Sequence, residues 1–139
     1  MPDTSELSLT GALTGATAGL TQMANGVLHL YKSTFNPTPT STLAEFLAAE
    51  CDYDGYAPLT IVAWTSPPIL SGVAYTIYAP TQTFLWVFAA AGEGNQVGGM
   101  FYVLAGGELY RYTRFEPTLP MQGPSQAIVR TPTNVYPAG

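Results

Sequence analysis

A chain of 139 residues has room for one ordinary domain with one hydrophobic core, which argues against a two-domain reading. Apolar residues make up 47% of it and charged residues only 9%, against the roughly one quarter usual in globular chains, so neutral Thr, Ser, Gly, Pro, Gln and Asn must cover the surface. The net charge is −5, and Lys32, Arg111, Arg114 and Arg130 are the only Lys and Arg residues, too few to neutralise a nucleic-acid backbone.

The N-terminal segment, residues 1–25, reads as an arm apart from a single β-rich domain at 26–139. Leu7 to Leu28 contains no charged residue, yet polar residues interrupt its apolar run too often for a membrane span. Asp3 and Glu6 stand where a signal peptide would be basic, so a soluble protein without a classical export signal is expected. Gly11, Gly15 and Gly19 recur every fourth residue and would make one smooth helical face. Leu9, Leu13, Ala16, Leu20, Met23 and Val27 follow the three-and-four spacing of a coiled-coil seam, without charged flanking partners. The many Thr, Ser and Gly residues are poor helix formers, so an extended arm fits the composition equally well. In either form Leu7, Leu9, Leu13, Leu20 and Met23 are its apolar anchors, expected to seat on a neighbouring subunit, with docking on the chain's own domain as the alternative.

The turn dipeptide Asn25-Gly26 opens a strand over 26–32, and the Pro37 and Pro39 connector ends it. Thr42 and Glu45 have the spacing of a capping box before Leu43, Phe46, Leu47 and Cys51, which predicts one short helix ending near Asp52-Tyr53-Asp54-Gly55. Strands are then expected at Leu59–Thr65, Val73–Tyr78, Thr83–Ala90, Met100–Leu104, Leu109–Phe115 and Ala127–Arg130. Their separators are Pro67-Pro68, Ser71-Gly72, Ala79-Pro80, Gly92-Glu93-Gly94-Asn95, Gly106-Gly107 and Gly123-Pro124. The clearest hairpin runs from Met100 across Gly106-Gly107 to Phe115. Strict alternation there would put Tyr110, Tyr112 and Arg114 on one face. The expected fold is mainly β: an antiparallel β-sandwich or barrel with one short helix and an N-terminal arm.

His29-Leu30-Tyr31-Lys32, Phe35 to Pro39, Thr42 to Phe46, Tyr53 to Pro58 and Glu108 to Phe115 together resemble a group of small virion-associated proteins of phage and environmental viruses. The resemblance spans about residues 28–131 and leaves the arm outside. It implies a structural role in the virion and no catalytic residues.

The residues themselves offer little chemistry. With one Cys and one His, neither an internal disulfide nor a Cys/His zinc site can be completed, and Cys51 reads as a small buried hydrophobe. His29 sits in an apolar strand as a structural histidine, and no Ser or Cys has a nucleophile-elbow context. Glu45, Glu50, Asp52 and Asp54 cluster, but an EF-hand loop begun at Asp52 would need its closing glutamate where Ala63 stands. The cluster therefore reads as a solvated helix end. Nine tyrosines with Trp64 and Trp86 could line a carbohydrate-binding surface, although Tyr75, Tyr78, Trp86, Tyr102, Tyr110 and Tyr112 are better read as core or intersubunit packing.

The sequence thus points to a non-enzymatic virion structural protein of bacteriophage type, with no cofactor and no metal. Its expected partners are copies of itself and other virion proteins such as a major capsid protein, with no nucleic acid and no membrane. Decoration or cementing of the capsid shell is the first reading. A tail or fibre component, or an aromatic-lined carbohydrate-binding module, is the alternative.

Overall fold

The computed structural model describes residues 5–53, 56–87, 97–119 and 125–139. Among the described residues two helices, α1 (Leu9–Gln22) and α2 (Leu43–Ala48), accompany nine strands. These are β1 (Gly26–Lys32), β2 (Leu59–Ile61), β3 (Thr65–Ser71), β4 (Ala74–Tyr78), β5 (Gln82–Val87), β6 (Val97–Val103), β7 (Leu109–Leu119), β8 (Ser125–Arg130) and β9 (Thr133–Pro137). They form three antiparallel sheets in the orders β2-β1-β6-β7, β3-β4-β9 and β5-β8. The sheets pack as a sandwich-like fold without closing into a barrel.

The main core lies between the sheets: Leu28 and Leu30 of β1, Met100 and Tyr102 of β6, Ile77 of β4, Phe84 of β5 and Ile128 of β8. Alternation along β1 sends Tyr31 to the opposite face, into a smaller cluster with Phe46 of α2 and Phe101 of β6. The four-stranded sheet is therefore covered on both faces. Helix α2 seats there because Phe46 stacks edge-on with Phe35 at 5.0 Å and with Tyr31 at 5.8 Å. Its capping box forms as the spacing predicts, with Thr42 Oγ1 accepting from Glu45 N and Glu45 Oε1 accepting from Thr42 N.

The N-terminal segment is the first departure from the sequence reading. It is a helix of 14 residues, started by Ser8, whose Oγ accepts from Gly11 N at 3.0 Å. The helix packs against β3, β4 and β9 of its own chain. Ala12, Ala16, Gly19 and Met23 are fully or almost fully buried, so the segment contributes to the domain's core and does not stand apart from it. Threonine-rich composition made the helix hard to foresee, and tertiary packing outweighs that weak propensity. Residues 1–4 lie outside the description.

The strands differ in detail from expectation. The run from Leu59 ends at Ile61, and a separate strand β3 passes straight through Pro67-Pro68, which had read as a separator. Prolines are tolerated there because β3 is an edge strand and its pairing with β4 shifts register between Thr65 and Ile69. Strand β9 was not anticipated; it pairs along its whole length with β4. The expected strand over 83–90 is described only to Val87, and the turns at 92–95 and 123–124 lie outside the described residues.

The hairpin across Gly106-Gly107 forms with Gly107 at φ +94°. Its alternation is broken by a bulge: Tyr102 pairs with Arg111 but Val103 with Leu109, leaving Tyr110 as the extra residue. Tyr110 consequently packs on the main core while Tyr112 joins Phe46 and Phe101, so the two tyrosines do not share a face as strict alternation required.

Candidate assembly surface

Helix α1 presents its small residues inward and its larger apolar ones partly outward. Gly19 lies against Tyr136 of β9 and Gly15 beside it, so the smooth glycine face serves the chain's own sheet. Of the expected anchors, Met23 is fully buried and Leu20 packs partly buried on the main core. Leu7, Leu9 and Leu13 remain exposed, at 49, 42 and 37%. The rest of the outward face is Thr10, Thr14, Thr17, Ala18, Thr21 and Gln22, with no charge in the first or last turn. An exposed helix normally carries a charged outer face, whereas this one carries only neutral side chains.

Leu7 also extends the apolar surface beyond the helix. Its carbonyl accepts from Gly139 N at 2.7 Å, and Val73 O accepts from Ala138 N at 2.7 Å. The C-terminal dipeptide thereby ties the start of the helix to the β3–β4 turn, where Val73 is 63% exposed.

A second neutral surface is the outer face of the β3-β4-β9 sheet. Thr76 of β4 pairs with Ile69 on one side and Val135 on the other, making one cross-strand row. Ile69 and Val135 are about half exposed, whereas the alternate residues Ile77 and Asn134 are buried beneath. The sequence reading missed this row because it required β3 and β9, and Thr133-Asn134-Val135-Tyr136 shows no apolar-polar alternation that would mark β9: polar Asn134 faces inward and apolar Val135 outward.

The titratable groups converge at one place. His29 Nδ1 lies 2.5 Å from Glu50 Oε2, which also accepts from Tyr56 OH at 2.5 Å, while Leu30 N donates to the Tyr56 oxygen at 3.1 Å. The imidazole stacks on Phe101 at 4.6 Å. Burial, and then the bond to Glu50, push the Tyr56 phenol well above its ordinary value. A carboxylate orienting a histidine supplies two of the three members of a nucleophilic triad, but among the described residues no hydroxyl or thiol is hydrogen-bonded to Nε2. The cluster joins β1 to the chain after α2, supplementing Cys51 N to Leu30 O at 2.9 Å.

The acidic cluster is accordingly divided by role. Glu45 caps α2, Glu50 turns inward to His29, and exposed Asp52 meets Lys32 at 3.1 Å; Asp54 lies outside the described residues. Reading Glu50 as part of a solvated helix end missed the bridge between Tyr31 and Glu50 that draws it toward β1. No group of three or more metal-ligating side chains occurs among the described residues.

Among the described side chains, Tyr31, Tyr53, Trp64 and Tyr102 are buried and the other tyrosines are partly buried. Trp64 Nε1 donates to Tyr102 OH at 3.1 Å, and Tyr102 donates in turn to the Met23 carbonyl. No tyrosine or tryptophan among the described side chains is exposed, and that of Trp86 lies outside the description. A flat sugar-stacking platform would need such exposure. No helix among the described residues is long and apolar enough to cross a membrane.

No family model, curated protein or solved structure matches this chain.

Proposed function

We propose that this chain is a non-enzymatic virion structural protein of bacteriophage type that self-assembles, decorating or cementing a capsid shell beside a major capsid protein. The observation that supports it best is the uncharged outer face of α1, with Leu7, Leu9 and Leu13 exposed in a chain of net charge −5. Copies of an acidic chain repel one another through their charged surfaces and approach most readily through neutral ones. Apolar side chains left half in water are stabilised when a neighbour covers them, at about 25 cal/mol per Å². The resemblance over residues 28–131 supports the particle as the place of assembly.

Two measurements test the reading. Multi-angle light scattering should give a mass above the 14.8 kDa of one chain at micromolar concentration and upward. Antibody labelling of purified particles should mark their shell. A single-chain mass at every concentration, or label on no particle, refutes the proposal.

A further inference from the structure

We propose that the outer face of the β3-β4-β9 sheet is a twofold contact between two copies of this chain, with Thr76 beside the axis. The inference rests on the self-assembly reading and adds to the α1 face a second, separate contact surface.

The sheet's geometry carries the argument. Thr76 is flanked in register by Ile69 on β3 and Val135 on β9, so a row of β-branched residues is nearly symmetric about its centre. A twofold axis parallel to β4, lying between the two faces at Thr76, sets Ile69 of each copy over Val135 of the other, which makes the row complementary to itself, as an isologous interface requires. The neighbouring row, Ser71, Ala74 and Pro137, and the pair Tyr78 and Thr133 on the other side add no charge. Two chains of net charge −5 can therefore bring these faces to the roughly 10 Å of packed sheets without opposing like charges inside the contact.

Edge-to-edge pairing is the other way for sheets to associate, and here it is obstructed. Edge strand β3 contains Pro67 and Pro68 and a register shift, while edge strand β9 is short and ends on Pro137. Proline lacks the N–H that an added strand would need. Face-to-face contact is what remains to this sheet.

Size sets the strength. A stable interface commonly uses about 20–30 residues on each side, and one three-stranded face supplies far fewer. The contact is consequently weak in isolation and gains force when many copies are held together on a particle.

Sedimentation equilibrium from about 1 to 500 μM, with thermal melting of each variant, tests the proposal. Thr76→Lys should weaken self-association about tenfold or more by placing two ammonium groups across the axis. It also reduces the net negative charge by one unit per chain, so weakening cannot come from greater overall repulsion. Thr76→Glu should weaken association too, and an equimolar mixture of the two variants should restore it, because only the mixed pair sets opposite charges on the axis. Ile69→Lys, on the exposed edge strand, supplies a second variant should the central substitutions lower the melting temperature.

Wild-type association that persists unchanged in Thr76→Lys and Ile69→Lys, while Leu13→Glu abolishes it, would overturn this contact and leave self-assembly standing. Loss in both Thr76 variants without restoration on mixing would overturn the twofold arrangement. A wild type that stays monomeric throughout would overturn this contact together with the self-assembly reading beneath it.

Discussion

Gly19 of α1 sits directly against the ring of Tyr136 in β9: a Cβ added at Gly19 would lie 2.7 Å from Tyr136 Cζ and overlap its hydroxyl. The same hydroxyl accepts from Asn134 Nδ2 at 2.9 Å and lies 3.4 Å from that of Tyr110. Helix, edge strand and the bulge of β7 thus meet around one phenol, which holds α1 to the sheet.

Gly19→Ala should therefore destabilise the fold by ~1–3 kcal/mol, although alanine is the better helix former by about 1 kcal/mol. In a Tyr136→Ala background, where the ring is gone, the same substitution should become neutral or stabilising. Urea unfolding of the four chains measures the coupling, and equal effects in both backgrounds would refute the contact as its cause.

Removal of residues 2–25 should unfold the domain, since it strips Ala12, Ala16 and Met23 from the core and takes away the carbonyl that accepts from Tyr102. A truncated cavity of that size costs several kcal/mol, comparable with the ~5–15 kcal/mol that holds a domain together. Far-UV circular dichroism decides the matter. A truncated chain with the full-length melting temperature would restore the segment to the independent arm that its composition suggested.

The His29–Glu50–Tyr56 cluster should behave as a fastener. His29→Gln should lower stability by ~1 kcal/mol and Glu50→Ala by ~2 kcal/mol, because loss of the carboxylate takes the acceptor from two part-buried groups, the His29 imidazole and the Tyr56 hydroxyl. Denaturant midpoints check the order of these effects. A larger loss from His29→Gln than from Glu50→Ala would show that the carboxylate is not the organising group.

Alkaline pH should destabilise the protein in two stages. Burial pushes the Cys51 thiol from 9.0 up to about 12, and it raises Tyr31, Tyr53, Tyr56, Tyr102 and Tyr136 above their ordinary 10.0. Below pH 9 these groups are protonated in both folded and unfolded chains, so their contribution is fully present. Above pH 9 the unfolded thiol ionises, and above pH 10 the unfolded phenols do, while the folded forms keep their protons. The unfolded state then binds fewer protons, and stability falls as pH rises. Calorimetry between about pH 7.5 and 11 should show the decline, and Cys51→Ala should remove the part between 9 and 10 while sparing the steeper part above. A melting temperature constant up to pH 11 would contradict it.

Local chemistry made several elements legible in the sequence. Asn25, at φ 62° before β1, the Thr42–Glu45 box and the Gly106-Gly107 hairpin all follow from side chains acting on backbone within a few residues, and none needs a distant partner. Alternating apolar residues likewise marked most of the strands and the mainly β class. Only the tertiary structure decided where the N-terminal segment goes, because the four-residue glycine spacing specifies a smooth face without specifying what lies against it. Tyr136, more than a hundred residues away, supplies that surface, and its ring turns Gly19 from a weak helix former into a requirement of packing. The extra residue at Tyr110 and the strand through Pro67-Pro68 were hidden for the same reason: both depend on which strand is adjacent and which edge is open. Those are properties of the assembled sheets. Ile69, Thr76 and Val135 lie far apart in the chain and become one row only when β3, β4 and β9 pair, so the sequence determined their character and the fold alone determined that they stand together.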